Sequence, residues 1–242
     1  MTLVALGVDG ARGGWMAAGL HADGRTALRF FPTLEWIADW RGHGDAPMAI
    51  DVPIGLMPLG GSRPCDVECR KRLPGRGSCV FPPPARFLVD GFPTPHVTRR
   101  QLRDAIFERK RRDGPGVVPG LSAQSCGIFD KVWEADRFVR VGRRVQWVYE
   151  AHPELCFQRM RGTALAPKKT AQGVLQRLAL IRAQFPDAEE RMREVDHGVM
   201  DDLLDAYAAL WTARRIAELG IDRVEVLGNG AMDGPLPMRI VA

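Results

Sequence analysis

The sequence predicts an α/β fold: a mixed sheet, made of a three-stranded antiparallel meander plus parallel strands, flanked by helices and interrupted by a large basic insertion. Short apolar runs separated by Gly-rich turns open the chain, LVALGVDG first among them, and spacing this tight joins antiparallel neighbours. A helical stretch then leads to a further apolar run, MAIDVP, and a crossover of that kind lays the next strand parallel to the first. Between residues 58 and 144 the composition turns to Pro, Gly and Arg, and it returns to core type at Val145.

The elements follow in order. Strands are expected at residues 3 to 9, at 14 to 20 after the turn Gly10 to Gly14, and at 26 to 31 after Asp23-Gly24. Thr33 to Trp40 places Leu34, Ile37 and Ala38 at helical spacing, with Thr33 as N-cap. The run Met48 to Val52 is the parallel strand. From Pro53 to about Gly142 the segments GGSRP, LPGRG, FPPPAR, GFPTP and DGPGVVPG break regular pattern, leaving helices at 98 to 112 and near 123 to 137. A strand at Val145 to Tyr149 precedes helices at Pro153 to Arg161, at Thr170 to Phe185 with Val174, Leu175, Leu178 and Ile181 apolar, and at His197 to Leu219 with Leu203, Leu204, Ala208 and Trp211. A short strand, Val224 to Leu227, comes last. Residues 1–57 and 145–242 thus form a core, and 58–144 an insertion packed on it as part of one structural domain.

With 242 residues, 45% apolar and 26% charged, the chain belongs to neither the disordered nor the fibrous classes. Its apolar N-terminus carries Asp9 and Arg12, which suits a strand and not a signal peptide, and no run reaches membrane-spanning length. Five cysteines, an odd number, point to reduced thiols and a cytoplasmic location. Cys65, Cys69 and Cys79 cluster without the paired C-x-x-C of structural zinc sites and read as partly buried thiols. The net charge is +5, yet residues 58–144 hold 18 Lys and Arg against 9 Asp and Glu, a net of +9 that leaves −4 for the rest. The partner this implies for the insertion is a polyanion such as nucleic acid, although runs such as RRQLRDAIFERKRR read equally well as solvated helix faces.

The chemistry sits in the acids. Asp9, Asp51 and Glu150 each close an apolar run, and Asp205 lies in the helical stretch DDLLDAYAAL, where it shares a helix face with Asp202 or with Asp201. Ligands gather outside the carboxyl ends of parallel strands. Carboxylates converging there either raise one another's pKa or share a divalent cation, and hard oxygen donors favour Mg or Mn, as one or two ions. Two such ions would align the attacking water and leaving oxygen of a phosphodiester. Singly, Asp9 also suits a turn, Asp51 the approach to Pro53, and Asp201 a helix cap; only their joint recurrence at strand ends favours a site.

GVDGARGGW, AIDVPIGL, RPCDVECRKRLPGRGSCVFPPPAR, GLSAQSCGIFDKVWEAD, VYEAHPELCF, PKKTAQG and DDLLDAYAALWTARR, in that order, resemble the motifs of the family called predicted RNase H-like nuclease. The resemblance runs from residue 7 to about residue 240. It implies an RNase H-like fold with an insertion after the strand ending at Asp51, and metal-binding acids on the first strand, a later parallel strand and a C-terminal helix. By position Asp9 matches the first-strand acid. DDLLDAYA is similar to the helix of Holliday-junction resolvases, which matches Asp202 and Asp205, while Asp51 and Glu150 compete for the middle role.

Lys168 is read as neutralising a scissile phosphate, with Lys169 beside it, or both as surface lysines ahead of a helix. Arg12, in the loop after Asp9, is within reach of a phosphate. Arg63, Arg70 and Arg86 suit bidentate phosphate contact, with salt bridges to Asp66 or Glu68 as the competing use. His152 either relays protons or shapes the turn at Pro153. The leading expectation is therefore a metal-dependent nuclease. An actin-like phosphotransferase or nucleotide hydrolase is the second, suggested by the GVDGARGG turn, and a noncatalytic nucleic-acid-binding module the third. Saturable nucleoside triphosphate binding without nucleic-acid affinity would mark the second, and binding without turnover in any divalent metal the third. A homodimer would suit a resolvase-like role, though no residue pattern demands one.

Overall fold

The computed structural model describes residues 2–114 and 116–242. In chain order the strands of the main sheet are β1 Leu3–Ala11, β2 Gly14–His21, β3 Thr26–Phe31, β4 Met48–Asp51 and β5 Val148–Glu150. The helices are α1 Leu34–Arg41, α2 Pro64–Arg72, α3 Arg86–Gly91, α4 Arg99–Asp113, α5 Ala123–Gly127, α6 Phe129–Arg140, α7 Pro153–Arg161, α8 Ala171–Gln184, α9 Ala188–Arg193 and α10 Met200–Leu219. Backbone contacts divide the chain into two units. The first takes residues up to Val52, Arg143–Val226 and Ile240–Ala242; the second takes Pro53–Gly142 and Leu227–Arg239.

The first unit is built on a five-stranded sheet of order β3-β2-β1-β4-β5. β1, β2 and β3 pair antiparallel, β4 runs parallel to β1, and β5 parallel to β4. The two-residue turn Arg12-Gly13 joins Ala11 to Gly14, and Gly13 sits at φ +80°, where an L side chain is strained. On one face α1 lays Trp40 over Gly19, where an added Cβ would meet the indole at 2.6 Å. On the other face α10 lies against β1, so the sheet is flanked by helices on both sides.

Small residues set the depth of that second contact. An added Cβ on Gly7 would stand 1.9 Å from the Leu210 nitrogen and 2.2 Å from the Ala206 carbonyl oxygen, so helix backbone rests directly on strand backbone. Ala206, Ala208, Ala209 and Ala213 on α10 are fully buried and permit the approach. Backbone cannot yield as a flexible side chain can. Gly7→Ala is therefore expected to cost about 3 kcal/mol or more, read as a shifted urea midpoint; an unchanged midpoint would refute the close approach.

Buried polar groups fix the outer elements. The Thr26 backbone N–H and hydroxyl both donate to the Asp187 carboxylate, at 2.8 and 2.9 Å, and the Tyr207 hydroxyl lies 2.9 Å from the Thr26 Oγ1. This ties β3, the start of α9 and α10 together without leaving a hydroxyl unsatisfied. The helix expected at 123 to 137 is two, broken at Ile128, and the strand expected from Val145 begins only at Val148 because residues 144–146 form a 3-10 turn. The last long helix starts at Met200 and not at His197, since Gly198 takes φ +83°. Helices α2, α3 and α9 lie where the sequence carried no apolar periodicity.

In the second unit Arg63, Arg70, Arg86 and Arg140 serve the fold. Arg63, 1% exposed, donates to both Asp66 carboxylate oxygens and to the carbonyls of Ile54 and Gly55. Arg86 pairs with Asp136, Asp233 and Asp90, and Arg140 joins Asp136 and Asp233 from α6. Arg70 donates to the Val80 carbonyl and the Ser62 hydroxyl. Among the described residues no helix is long and apolar enough to cross a membrane.

Candidate functional site

Asp9 and Asp51 are direct partners in the parallel β1/β4 ladder. Register partners leave a sheet on the same face, and alternation gives Asp9 the face of Gly7, toward α10. From α10, Asp205 reaches the same region. Asp9 is 8% exposed and Asp205 5%, and Asp51 is half-buried. Glu150 pairs with Ile50 and not with Asp51, so alternation directs it to the opposite face, although it too is buried.

Electrostatics join the acids into one system. Burial raises the pKa of Asp9 well above the usual carboxylate range, and the charges of Asp51, Asp205 and Asp202 push it further. Asp51 is likewise raised, first by burial and then by Asp205, with Glu150 and Glu154 adding to it and Lys168 opposing. Asp205 is raised by burial to about 6, held from going higher by Lys168. The Lys168 ammonium stands 3.1 Å from the Asp205 Oδ2 and 3.7 Å from Asp201. Burial works to discharge it, but Asp205, Asp201 and Asp51 outweigh that and raise its pKa. Asp202 accepts the Val199 backbone N–H at 3.3 Å, at the start of α10.

The segment carrying Lys168 is pinned from beneath. Arg177 of α8, 1% exposed, donates to both oxygens of Glu154 at 2.7 and 2.8 Å, to the Ala166 carbonyl at 3.0 Å and to the Gly173 carbonyl at 2.9 Å. The Thr170 hydroxyl accepts the Gly173 N–H and donates to the Pro167 carbonyl. An added Cβ on Gly173 would meet that carbonyl oxygen at 2.1 Å. The lysine thus enters the acidic region from a hydrogen-bonded base. Sequence reasoning missed Glu154 and Arg177. Gly173, Arg177 and Ile181 are the buried residues of α8, spaced by four, whereas Leu175 is 64% exposed. An arginine on the buried stripe was the available signal.

Among the described residues no three or more His, Cys, Asp and Glu side chains stand close enough to hold a metal ion as placed. The cation lodged beside Asp205 is the lysine. The donor chemistry of Asp9, Asp51, Asp202 and Asp205 nonetheless fits a hard divalent ion: every donor is a carboxylate oxygen, and an ion would relieve the raised proton affinity of the buried ones.

A family model described as "Protein of unknown function (DUF429)" matches residues 7–229. The chain belongs to this family. No curated protein and no solved structure matches it. The DUF429 match begins at Gly7, the contact point of β1 with α10, and takes in all the acids above together with Lys168.

The other site residues expected from the sequence of this DUF429 chain are placed as follows. Arg12 is exposed at the tip of the β1–β2 hairpin, just beyond the strand end that carries Asp9, and Lys169 is exposed next to Lys168. Arg63, Arg70 and Arg86 spend their donors inside the second unit, Arg63 on the Asp66 that competes with a phosphate for it. His152 sits at the N-cap position of α7, immediately before Pro153. Cys65, Cys69 and Cys156 are buried free thiols, and Cys79 and Cys126 are half-buried ones. Cys156, hydrogen-bonded to the Thr212 hydroxyl, is pushed by burial to about 12, which keeps it protonated and unreactive.

Proposed function

We propose that this protein is a metal-dependent phosphodiesterase acting on nucleic acid, working on an RNase H-like sheet. The observation that carries the reading is the pairing of Asp9 with Asp51 on adjacent parallel strands, facing the helix that supplies Asp205. Buried acids that repel one another are costly to a fold, and a functional site is where such a cost is retained. A mixed sheet with an antiparallel meander and parallel strands agrees with the fold the sequence motifs imply.

Asp9, Asp51 and Asp205, with Asp202 beside them, would hold magnesium or manganese. The ion would supply an activated water and charge stabilisation for the phosphoryl oxygens. Glu150, directed to the other face, is left out of the ligand set, and its charge adds to the proton affinity of Asp51. The chain's own part is to hold the acids in register and to present cations to the phosphate. Lys168 stays charged there and is anchored by its pinned segment. Arg12 and Lys169, both exposed, add positive charge at the surface.

Titration calorimetry with manganese, on the wild type and on the double variant Asp9→Asn with Asp205→Asn, tests the ligand set. Heat of binding in the wild type and none in a variant whose circular dichroism is native is the expected result. Equal heats, or no wild-type binding even with an oligonucleotide present, would overturn it.

A further inference from the structure

Helix α4 buries Leu102 and Ile106 and turns its opposite face to solvent. On that outer face Phe107 is 60% exposed. Its helical neighbours at three and four residues are Arg103, Asp104, Lys110 and Arg111, three cations to one acid, and Arg100 lies two turns before it on the same stripe. Among the described residues Arg99, Arg103 and Lys110 make no ion pair with any acid. The pairs Arg100–Asp104, at 3.7 Å, and Arg111–Glu108, at 3.5 Å, are exposed and easily exchanged for another anion. Thr98 caps the helix and reciprocates with Gln101, so the stripe is carried on a well-formed element.

We propose that the outer face of α4 binds single-stranded nucleic acid, with Phe107 stacking on a base and Arg103 and Arg111 holding the flanking phosphates. An exposed aromatic ring flanked by an arginine on the turn before it and another on the turn after it is what a splayed base and its backbone require. Duplex would leave the ring without a base face to stack on. An anionic membrane would need a broad apolar stripe, and the apolar side of α4 is already buried within its own unit. The inference deepens the nucleic-acid reading by naming the contact surface, and it does not depend on the carboxylates.

The test is fluorescence anisotropy of a labelled oligothymidylate with the full chain, across a salt series and in chelator, so that no divalent ion can tether the oligonucleotide to the acids. Phe107→Ala should bind about 5- to 100-fold more weakly, Phe107→Leu should not restore affinity, and Phe107→Trp should. Arg103→Ala with Arg111→Ala should lower the slope of log K against log salt by about 1.4, as expected for two phosphate contacts on a single strand. Wild-type affinity in Phe107→Ala, no binding by the wild type, or binding to anionic phospholipid vesicles in place of the oligonucleotide would each overturn the proposal.

Discussion

Asp9→Asn is expected to stabilise the protein at neutral pH while abolishing metal-dependent cleavage. Burial and the charges of Asp51, Asp205 and Asp202 raise the pKa of Asp9 in the folded state above its unfolded value of about 3.9. From about pH 4 upward the native state therefore holds protons that the unfolded chain has released. Stability is greatest below the unfolded pKa and falls as pH rises through the folded pKa. Asp51 acts in the same direction, and for Asp205 the window closes at about 6. The isosteric amide of Asn has no proton to lose, so the variant escapes that decline. Each pKa unit removed is worth about 1.4 kcal/mol, and each kcal/mol shifts the thermal midpoint by about 2–4 °C in a chain of this size. Calorimetric scans in chelator should show the wild type losing midpoint between pH 4 and 8 more steeply than Asp9→Asn, with the variant melting higher at pH 8. A lower midpoint for the variant at pH 8 would mean that Asp9 is not under electrostatic stress.

Arg177→Ala is expected to cost about 3–5 kcal/mol, because it strands the buried Glu154 carboxylate without its bidentate partner. It also frees the Ala166 and Gly173 carbonyls and loosens the segment that leads to Lys168. Glu154→Leu combined with Arg177→Met, which removes both charges at similar volume, should lose less than Arg177→Ala alone. Urea denaturation of the three proteins decides the matter: a double variant no better than the single would show that packing, and not the unpaired charge, sets the cost.

Much of the sheet was legible because antiparallel strands joined by Gly-rich turns carry their period and their breaks in the same few residues. β1, β2, β3 and α7 fall within two residues of the expected boundaries. The second unit was less legible. Arg63, Arg70 and Arg86 read in one dimension as phosphate contacts or as ion-pair partners of Asp66 or Glu68, and folding decides for internal partners: Asp66, Asp136, Asp233 and backbone carbonyls. α2 is anchored by this ion pairing and by Cys65 and Cys69, so it lacked the apolar stripe that reveals a helix. At the acidic site, strand ends pointed alike to Asp9, Asp51 and Glu150, and only the register puts Asp51, and not Glu150, on the face of Asp9. A one-residue offset in pairing puts a side chain on the other face, and neighbouring sequence does not encode which strand residue meets which. The same limit hid Arg177, whose partner lies 23 positions away.

The close seat of α10 on β1 also has a consequence for biosynthesis. β1 emerges from the ribosome early, yet the surface that covers Gly7 and Asp9 is not available until residues 206–210 follow it out. Until then the strands of the first unit have one naked face, and long-range closure of this kind is slow and exposed to misassociation. Asp9 and Asp51 are charged and solvated during that interval, with their burial still to come. The acids that strain the finished fold thus act earlier as gatekeepers, keeping an otherwise greasy half-sheet from pairing with its neighbours.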